Sequence, residues 1–353
     1  MSRFLSPKYA GLEAYTPGEQ PRDKQYIKLN TNESPYPPSP QVLDALTRKD
    51  VEDLRLYSDP EGTFLREKLA KLYGVEPGNV FLSNGSDDIL NFAFMAFAND
   101  GAIFPGLTYS FYPVFADLHG VAYDTVPLKE DFSVDVDGMK GTGKFTVLAN
   151  PNAPTGLALP LAQVEEIIAS NPDHVVVIDE AYVDFGAESC VPLIKKYDNL
   201  LVTQTFSKSR SMAGARLGVA IGCKALIEDL NTIKYSTNPY NINRMTMAAG
   251  LGVLDDEAYT RANCRAVIES RMYAAERMQK MGFSMTDSKT NFLFAKHENI
   301  GGGELYRALR ARGILVRHFD KPLLCDYNRI TVGSMEQMKT LCDTLESILK
   351  EKI

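Results

Sequence analysis

Lys208 sits in the segment TFSKSRSMAGARLG (205–218), just behind hydroxyl residues and eight positions before Arg216. A lysine amine can condense with an aldehyde to a Schiff base, while Thr205, Ser207 and Arg216 offer hydroxyl and guanidinium donors suited to a phosphate dianion. A solvated basic loop is the other account of this segment, and the segment alone does not choose between them. The apolar run HVVVIDEAY (174–182) ends in Asp179, with Tyr182 three residues later. Ligands of open α/β sheets lie at the carboxyl ends of strands, so an acid there faces a site. A carboxylate opposite a pyridine nitrogen keeps that nitrogen protonated and lets the ring take electrons from a developing carbanion, and Tyr182 could bond the ring's phenolic oxygen. A helix cap or strand-end turn is the plainer account of Asp179. VFLS (80–83) leads into NGSDDILNFAF, where Gly85, Ser86 and Asp87 open an amphipathic helix. Free N–H groups and the helix dipole suit a phosphate there, although an ordinary cap would look the same. Tyr109, in FPGLTYSFY, suits stacking on a flat heteroaromatic ring as well as it suits core packing.

These side chains need elements that hold them at strand ends. The runs VFLS, AIFP, FTVLAN, HVVVIDE, LLVTQT and LGVAIG, with intervening helices such as GTFLREKLAKLYG, predict parallel strands covered on both faces. That is an α/β large domain over residues 42–243. After Asn243 a long helical stretch runs through MTMAAGLGVL and YTRANCRAVIESRMYAAERMQKMG and reads as a connecting helix. KTNFLFAK, GELYRALRARG, ILVRHF, NRITVG and EQMKTLCDTLESILK then alternate strand, helix, strand, strand, helix, which predicts a smaller α+β domain within 244–353. Residues 1–41 are rich in proline and polar groups, notably KLNTNESPYPPSP (28–40), and read as an extended arm joining the small domain.

Composition excludes several classes. A chain of 353 residues is long enough for two domains, and 44% hydrophobic with 24% charged residues is the balance of a globular protein. A net charge of −7 disfavours nucleic acid and anionic membrane as partners, while leaving room for a local basic pocket. MSRFLSPKYAGLEAY lacks the pattern of a signal peptide, and no apolar run reaches the ~18 residues of a membrane span, so a cytoplasmic location is expected. Cys190, Cys223, Cys264, Cys325 and Cys342 are odd in number and lack CxxC spacing, which disfavours disulfides and zinc. The four histidines form no HExxH cluster, so no metal is expected. GMKGTGKFT (138–146) nearly spells the nucleotide-binding pattern GxxxxGKS/T, but Phe145 stands where the hydroxyl is needed and the segment precedes a strand, so it reads as a turn.

The segments KLNTNESPYPPSP, YSDPEGTFLREKLA, NGSDDIL, PGLTYSFY, NPNAPTG, VVIDEAYVDF, TFSKSRSMAGARLG and NRITVG follow one another in the order of a known family. The chain resembles the fold-type I, pyridoxal-phosphate-dependent aminotransferases along nearly its whole length, and within them it is most similar to the histidinol-phosphate aminotransferases. The resemblance implies an α/β fold of the pyridoxal-phosphate-dependent transferase type I, with Lys208 as Schiff-base lysine and proton shuttle. It implies Asp179 on the pyridine nitrogen, Tyr182 on the phenolic oxygen, Tyr109 stacked on the ring, and phosphate contacts from Ser86, Asp87, Thr205, Ser207 and Arg216 beside Gly85. Tyr57, in LYSDPEG, is expected to reach the cofactor phosphate of a neighbouring subunit, which makes a homodimer with shared active sites the functional unit. The family commonly reads NPNNPTG where this chain reads NPNAPTG, so the usual asparagine contact is lost at Ala153, and either Asn152 supplies it from the adjacent position or Tyr182 holds the phenolic oxygen alone.

For the substrate, Arg329 in NRITVG stands where the family grips a carboxylate, and the resemblance adds Tyr15 and Arg317 as its partners on a phosphate ester. Two arginines suit a dianion, each making paired charge-assisted bonds. The implied reaction moves the amino group of L-histidinol phosphate to 2-oxoglutarate, giving imidazole-acetol phosphate and glutamate. An aromatic amino-acid aminotransferase shares every cofactor residue, and a threonine-phosphate decarboxylase of the same fold would be a lyase. A ligand-sensing module would need an appended DNA-binding segment or loss of the lysine, and neither is present.

Overall fold

Runs of β-branched and aromatic residues bounded by glycine, proline and asparagine become a central sheet, because such runs fill a pleated surface buried on both faces. The structure, a computed structural model, describes residues 2–13 and 18–351. A short strand, β1 (Ile27–Lys28), lies in the N-terminal segment. It is followed by β2 (Val80–Ser83), β3 (Ala102–Pro105), β4 (Tyr123–Val126), β5 (Phe145–Ala149), β6 (Val176–Asp179), β7 (Leu200–Thr205) and β8 (Gly218–Gly222). The last seven form one sheet in the order β2-β8-β7-β6-β5-β3-β4. From β7 across to β4 all pairings are parallel, whereas β8 is antiparallel to both neighbours. LGVAIG therefore departs from the expected parallel direction. The chain returns from β7 through the loop 206–217 without an α-helical crossover, and a parallel neighbour requires one.

Alternation along the strands sends side chains to two apolar layers. Val80, Leu82, Ile178, Val202 and Val219 face a layer built with α1 (Pro40–Ala45), α3 (Thr63–Tyr73), α6 (Leu161–Ala169) and α8 (Arg244–Leu254), the short α2 (Arg48–Glu52) lying beside it. Phe81, Val147, Val177, Leu201 and Ala220 face the other, built with α4 (Ser86–Phe97), α5 (Phe111–His119) and α7 (Lys224–Thr237). A sheet covered in this way leaves only its strand ends open to a ligand.

The long helical stretch after Asn243 breaks in two. Asp256 accepts a hydrogen bond from the Tyr259 N–H at 3.1 Å and so caps a new helix, α9 (Glu257–Lys280). Beyond it lie β9 (Phe283–Met285), β10 (Phe292–His297), α10 (Gly302–Ala311), β11 (Ile314–Leu315), β12 (Arg317–His318), β13 (Asn328–Thr331) and α11 (Met335–Lys350). An antiparallel sheet in the order β12-β13-β10-β9 packs with α9, α10 and α11 around a separate apolar cluster containing Val267, Met278, Leu309, Leu341 and Leu345. ILVRHF divides at Val316, so that β11 pairs in parallel with β1 and β12 joins β13. The N-terminal segment is tied to this second cluster through β1, through buried Leu29, and through Asn32, whose N–H donates to Thr331 Oγ1 at 2.9 Å. Among the described residues no helix is long and apolar enough to cross a membrane.

Candidate active site

The carboxyl ends of β5, β6 and β7 open onto a cavity of about 330 Å³. Strand β6 ends in Asp179, which is only 4% exposed yet lines that cavity. Two donors hold its carboxylate: the Tyr112 hydroxyl on Oδ2 at 2.8 Å and the Ala181 N–H on Oδ1 at 3.2 Å. Burial pushes this carboxyl up to about 6, with the two donors pulling the other way. Tyr182 follows one turn of chain later, its ring edge-on to Phe292 at 5.2 Å and its hydroxyl accepting from Asn32 Nδ2 at 2.9 Å.

Strand β7 delivers Thr205, Ser207 and Lys208. The Ser207 N–H donates to Thr205 Oγ1 at 3.1 Å, and the two hydroxyls lie 3.0 Å apart. Lys208 projects into the cavity, with Nζ donating to the Thr31 carbonyl at 3.3 Å and lying 5.9 Å from the centre of the Tyr182 ring. The loop that carries Lys208 is anchored from behind. Ser209 donates to Asp184 at 2.5 Å, and buried Arg210 pairs with Glu257 at the start of α9. Arg216 ends the loop in the left-handed backbone region, at φ +55°, and its guanidinium reaches Ser207 Oγ and Asp87 Oδ2, each at 3.4 Å. A bulky side chain adopts that backbone at a cost of about 1–2 kcal/mol, which a site that needs the guanidinium there can carry.

Strand β2 delivers the N-terminus of α4. No side chain caps it, which leaves the N–H groups of its first turn without a side-chain partner at the cavity residues Ser86 and Asp87. The Asp87 carboxylate accepts from the Tyr109 hydroxyl at 2.8 Å, which fixes Tyr109 in the cavity wall. Gly85 does not line the cavity but permits its geometry, since a Cβ there would lie 2.5 Å from Arg216 Nη2. Gly218 permits it too: a Cβ at that position would lie 2.4 Å from the Gly85 carbonyl carbon.

Four further expected residues lie outside the cavity wall. Asn152 points away from the cavity: Nδ2 donates to the Leu107 carbonyl at 3.0 Å and to Thr155 Oγ1 at 3.0 Å, while Oδ1 accepts from Thr108 at 2.9 Å. Its side chain thus holds the turn together, and the cavity wall there is Pro151 and Ala153. Arg317 and Arg329 are register partners on β12 and β13, and both guanidinium groups stand within 6 Å of the Phe319 ring centre, at 5.6 and 5.9 Å. They lie outside the cavity wall, although Arg329 also stands 5.4 Å from the Phe292 ring that packs on Tyr182. Tyr57 is 79% exposed and stacks on Tyr240 with ring centres 4.4 Å apart, away from its own chain's cavity. Tyr15 lies outside the described residues.

Sequence reasoning passed over three contributors. Tyr112, three positions after Tyr109, reads as core and is wholly buried, yet its hydroxyl holds Asp179. Thr31 and Glu33 from the N-terminal segment line the cavity. Burial works to raise the Glu33 carboxyl, but hydrogen bonds from Lys28 and Thr31 and the charge of Lys208 hold it below its usual range. The polar cluster TNES inside a proline-rich arm was the available signal, since such a segment has no reason of its own to be buried.

The site therefore combines one amine, one buried carboxylate and a cluster of hydroxyl, guanidinium and helix N–H donors. Comparison with known proteins gives this arrangement a family. The model of aminotransferase class I and II matches residues 24–345. A histidinol-phosphate aminotransferase of Brachyspira hyodysenteriae is 50% identical over 353 residues, covering 99% of this chain and 100% of the relative. One from Acinetobacter baumannii is 46% identical over 349 residues, covering 98% and 97%. Among solved structures, the histidinol-phosphate aminotransferase of Sinorhizobium meliloti in complex with pyridoxal-5'-phosphate superposes with a TM-score of 0.87 at 24% identity, covering 100% of this chain and 99% of that one. The L-threonine-O-3-phosphate decarboxylase of Porphyromonas gingivalis reaches 0.77 at 21%, covering 92% and 99%, so the fold is shared with another chemistry. By its family match and its full-length relatives, the chain belongs to the class I and II aminotransferases.

Proposed function

We propose that the chain is a pyridoxal-phosphate-dependent aminotransferase that moves the amino group of L-histidinol phosphate to 2-oxoglutarate, giving imidazole-acetol phosphate and glutamate in histidine biosynthesis. The observation that carries this reading is the Lys208 amine sharing one cavity with buried Asp179 and with Thr205, Ser207 and Arg216. The donor set fits the cofactor: an amine for its aldehyde, a carboxylate for its ring nitrogen, and a cradle for its phosphate that Arg216 closes over Gly85, whose φ of +89° residues with a Cβ rarely adopt. When bound, pyridoxal phosphate supplies an aldehyde carbon that takes up amines and a ring that accepts an electron pair.

The chain's own residues would do the rest. Lys208 would hold the cofactor through its Nζ and, as a free amine, would take up the proton released at the donor carbon and hand it back to the cofactor's own carbon. Asp179 would hold the ring nitrogen as a carboxylate, Tyr182 would donate to the phenolic oxygen, and Tyr109 would offer its ring for stacking. The hydroxyls of Ser86, Thr205 and Ser207, the Arg216 guanidinium and the first N–H groups of α4 hold the phosphate. Asp87 contributes its N–H, because its carboxylate is engaged by Tyr109 and Arg216. We leave Asn152 without a cofactor role. Arg317 and Arg329, with Tyr15, are assigned to the substrate phosphate and, in the second half-reaction, to the carboxylate of the keto acid. In this reading residues 42–243 bind the cofactor, and residues 244–353 with the arm 1–41 bring the substrate arginines. The working unit is a cytoplasmic homodimer in which Tyr57 serves the partner's site.

The relatives at 46–50% identity support histidinol phosphate as the donor. A panel of histidinol phosphate, phenylalanine, tyrosine and threonine phosphate with 2-oxoglutarate tests it, and histidinol phosphate is expected to give the highest kcat/KM. A preference for phenylalanine or tyrosine would move the reading to an aromatic aminotransferase. Release of CO2 from threonine phosphate without a keto acid would move it to a decarboxylase.

A further inference from the structure

Asn32 is 1% exposed, holds a left-handed backbone at φ +56°, and uses every hydrogen-bonding group on hand. Its N–H donates to Thr331 Oγ1 at 2.9 Å, and its carbonyl accepts from Asn291 Nδ2 at 2.9 Å. Its side-chain Oδ1 accepts from Thr331 Oγ1 at 3.0 Å, and its Nδ2 donates to the Tyr182 hydroxyl at 2.9 Å. Asparagine suits this place because it tolerates the left-handed region better than other residues bearing a side chain.

The polarity of this chain of bonds is set by one proton. Thr331 is buried, and its hydroxyl accepts the Asn32 N–H, so its own proton goes to Asn32 Oδ1. Turning the amide over would leave that hydroxyl proton without an acceptor in a buried place, which is unfavourable. The amide nitrogen therefore faces Tyr182, and the Tyr182 oxygen receives a hydrogen bond instead of giving one. Its proton remains for a partner in the cavity, which it lines together with Lys208, Asp179, Glu33, Asp87 and Arg216. Neither Asn152 nor Ala153 offers a side-chain donor at the cavity wall, so the direction of the Tyr182 hydroxyl carries more of the task.

We propose that Asn32 is a positioning residue: by donating to the Tyr182 oxygen it aims the Tyr182 proton into the cavity, toward the phenolic oxygen of the bound cofactor. The inference rests on the proposed role of Tyr182. It also gives the N-terminal segment a part in the chemistry, because Thr31, the neighbour of Asn32, holds the Lys208 amine through its carbonyl.

The experiment is a pH titration of the visible absorbance of the protein loaded with pyridoxal phosphate, run beside thermal melting. The forms compared are wild type, Asn32→Asp, Thr331→Val, Tyr182→Phe and the double variant of Asn32→Asp with Tyr182→Phe. Asn32→Asp replaces the donor by an acceptor of nearly equal size, so the Tyr182 proton turns to it and away from the cavity. A donor to the phenolic oxygen stabilises its anionic form, so the absorbance midpoint is expected to rise by about one pH unit in Asn32→Asp. The same substitution should add nothing in the Tyr182→Phe background, since the two residues act through one bond. Thr331→Val, which removes the hydroxyl but keeps the Thr331 N–H bond to the Leu29 carbonyl, should move the midpoint in the same direction by less. It carries the test by itself if Asn32→Asp does not fold. An unmoved midpoint with a lowered melting temperature would make Asn32 structural only and overturn the inference. An equal rise in the Tyr182→Phe background would make it a field effect of the added charge and overturn it too. If Tyr182→Phe alone left the midpoint in place, the role of Tyr182 would fail first; silence confined to the Asn32 and Thr331 variants sinks only the inference.

Discussion

At the scale of single residues the site turns on how a carboxylate is kept useful in a dry place. Burial raises Asp179 to about 6 and its neighbour Glu180 to about 7, although Glu180 receives hydrogen bonds from the Cys190 N–H, Ser189 and Gln204. Both carboxyls thus hold their proton more tightly folded than unfolded. The stability linked to them is present below the usual carboxylate range near 4 and is lost as pH rises through the folded values. The cofactor-free protein should therefore lose stability between about pH 4 and 7, with Asp179 accounting for on the order of 3 kcal/mol. Denaturant melts of Asp179→Asn without cofactor should show a shallower loss between pH 4 and 6; an unchanged slope would refute the assignment. Tyr112→Phe should act in the opposite sense. Losing the donor on Oδ2 raises Asp179 further, so cofactor affinity at neutral pH should fall several-fold, and the fall should shrink as pH is raised. Lys208, Asp179 and Arg216 were legible in the sequence because each lies at or beside the end of an apolar run. Tyr112 and Asn32 were not, since a buried tyrosine looks like core and the partners of Asn32 are 150, 259 and 299 residues away.

At the scale of elements, the departure of β8 from the parallel direction is what closes the proposed phosphate cradle. Because β8 returns beside both β7 and β2, its first residue, Gly218, pairs with Thr205 on one side and Ser83 on the other, and Arg216 is brought across the start of α4. A Cβ on Gly218 would stand 2.5 Å from the Ser86 nitrogen as well as 2.4 Å from the Gly85 carbon, and backbone on both sides cannot yield independently. Gly218→Ala is expected to cost about 1–3 kcal/mol in denaturant melts and to weaken pyridoxal-phosphate binding more than tenfold, because it parts the helix N–H groups from the Arg216 guanidinium. Gly301→Ala, where a Cβ meets nothing, is the matched control and should bind normally. Element types were readable from periodicity, but the direction of LGVAIG was not, since a short apolar run carries no sign of which way it travels. ILVRHF was read as one strand for the same reason. Its division at Val316 comes from a partner, β1, that lies more than 280 residues earlier.

At the scale of the whole molecule, one expected cofactor ligand stands outside the site that its own chain builds. Tyr57 is 79% exposed and stacked on Tyr240, in a region where Leu43, Leu54, Leu56 and Phe64 are also exposed. Exposed apolar side chains gathered along one stretch are what a subunit interface leaves uncovered in a single chain, and a two-fold axis makes any contact given also a contact received. The sequence motif LYSDPEG pointed to this arrangement by resemblance alone; no periodicity or spacing within one chain can reveal a contact made to a second copy. Shared sites make a prediction that unshared sites do not. Each site of the dimer would take Lys208 from one chain and Tyr57 from the other, so a hybrid of Lys208→Ala and Tyr57→Phe chains has one site with both lesions and one with neither. Unfolding and refolding the two inactive or impaired proteins as an equal mixture should produce hybrids as half of the dimers, each with one good site, and so restore about a quarter of the wild-type sites. Cofactor binding and turnover should recover together and in that proportion. If Tyr57 served its own chain, every site in the hybrid would carry one lesion, and the mixture would stay at the average of its two parents.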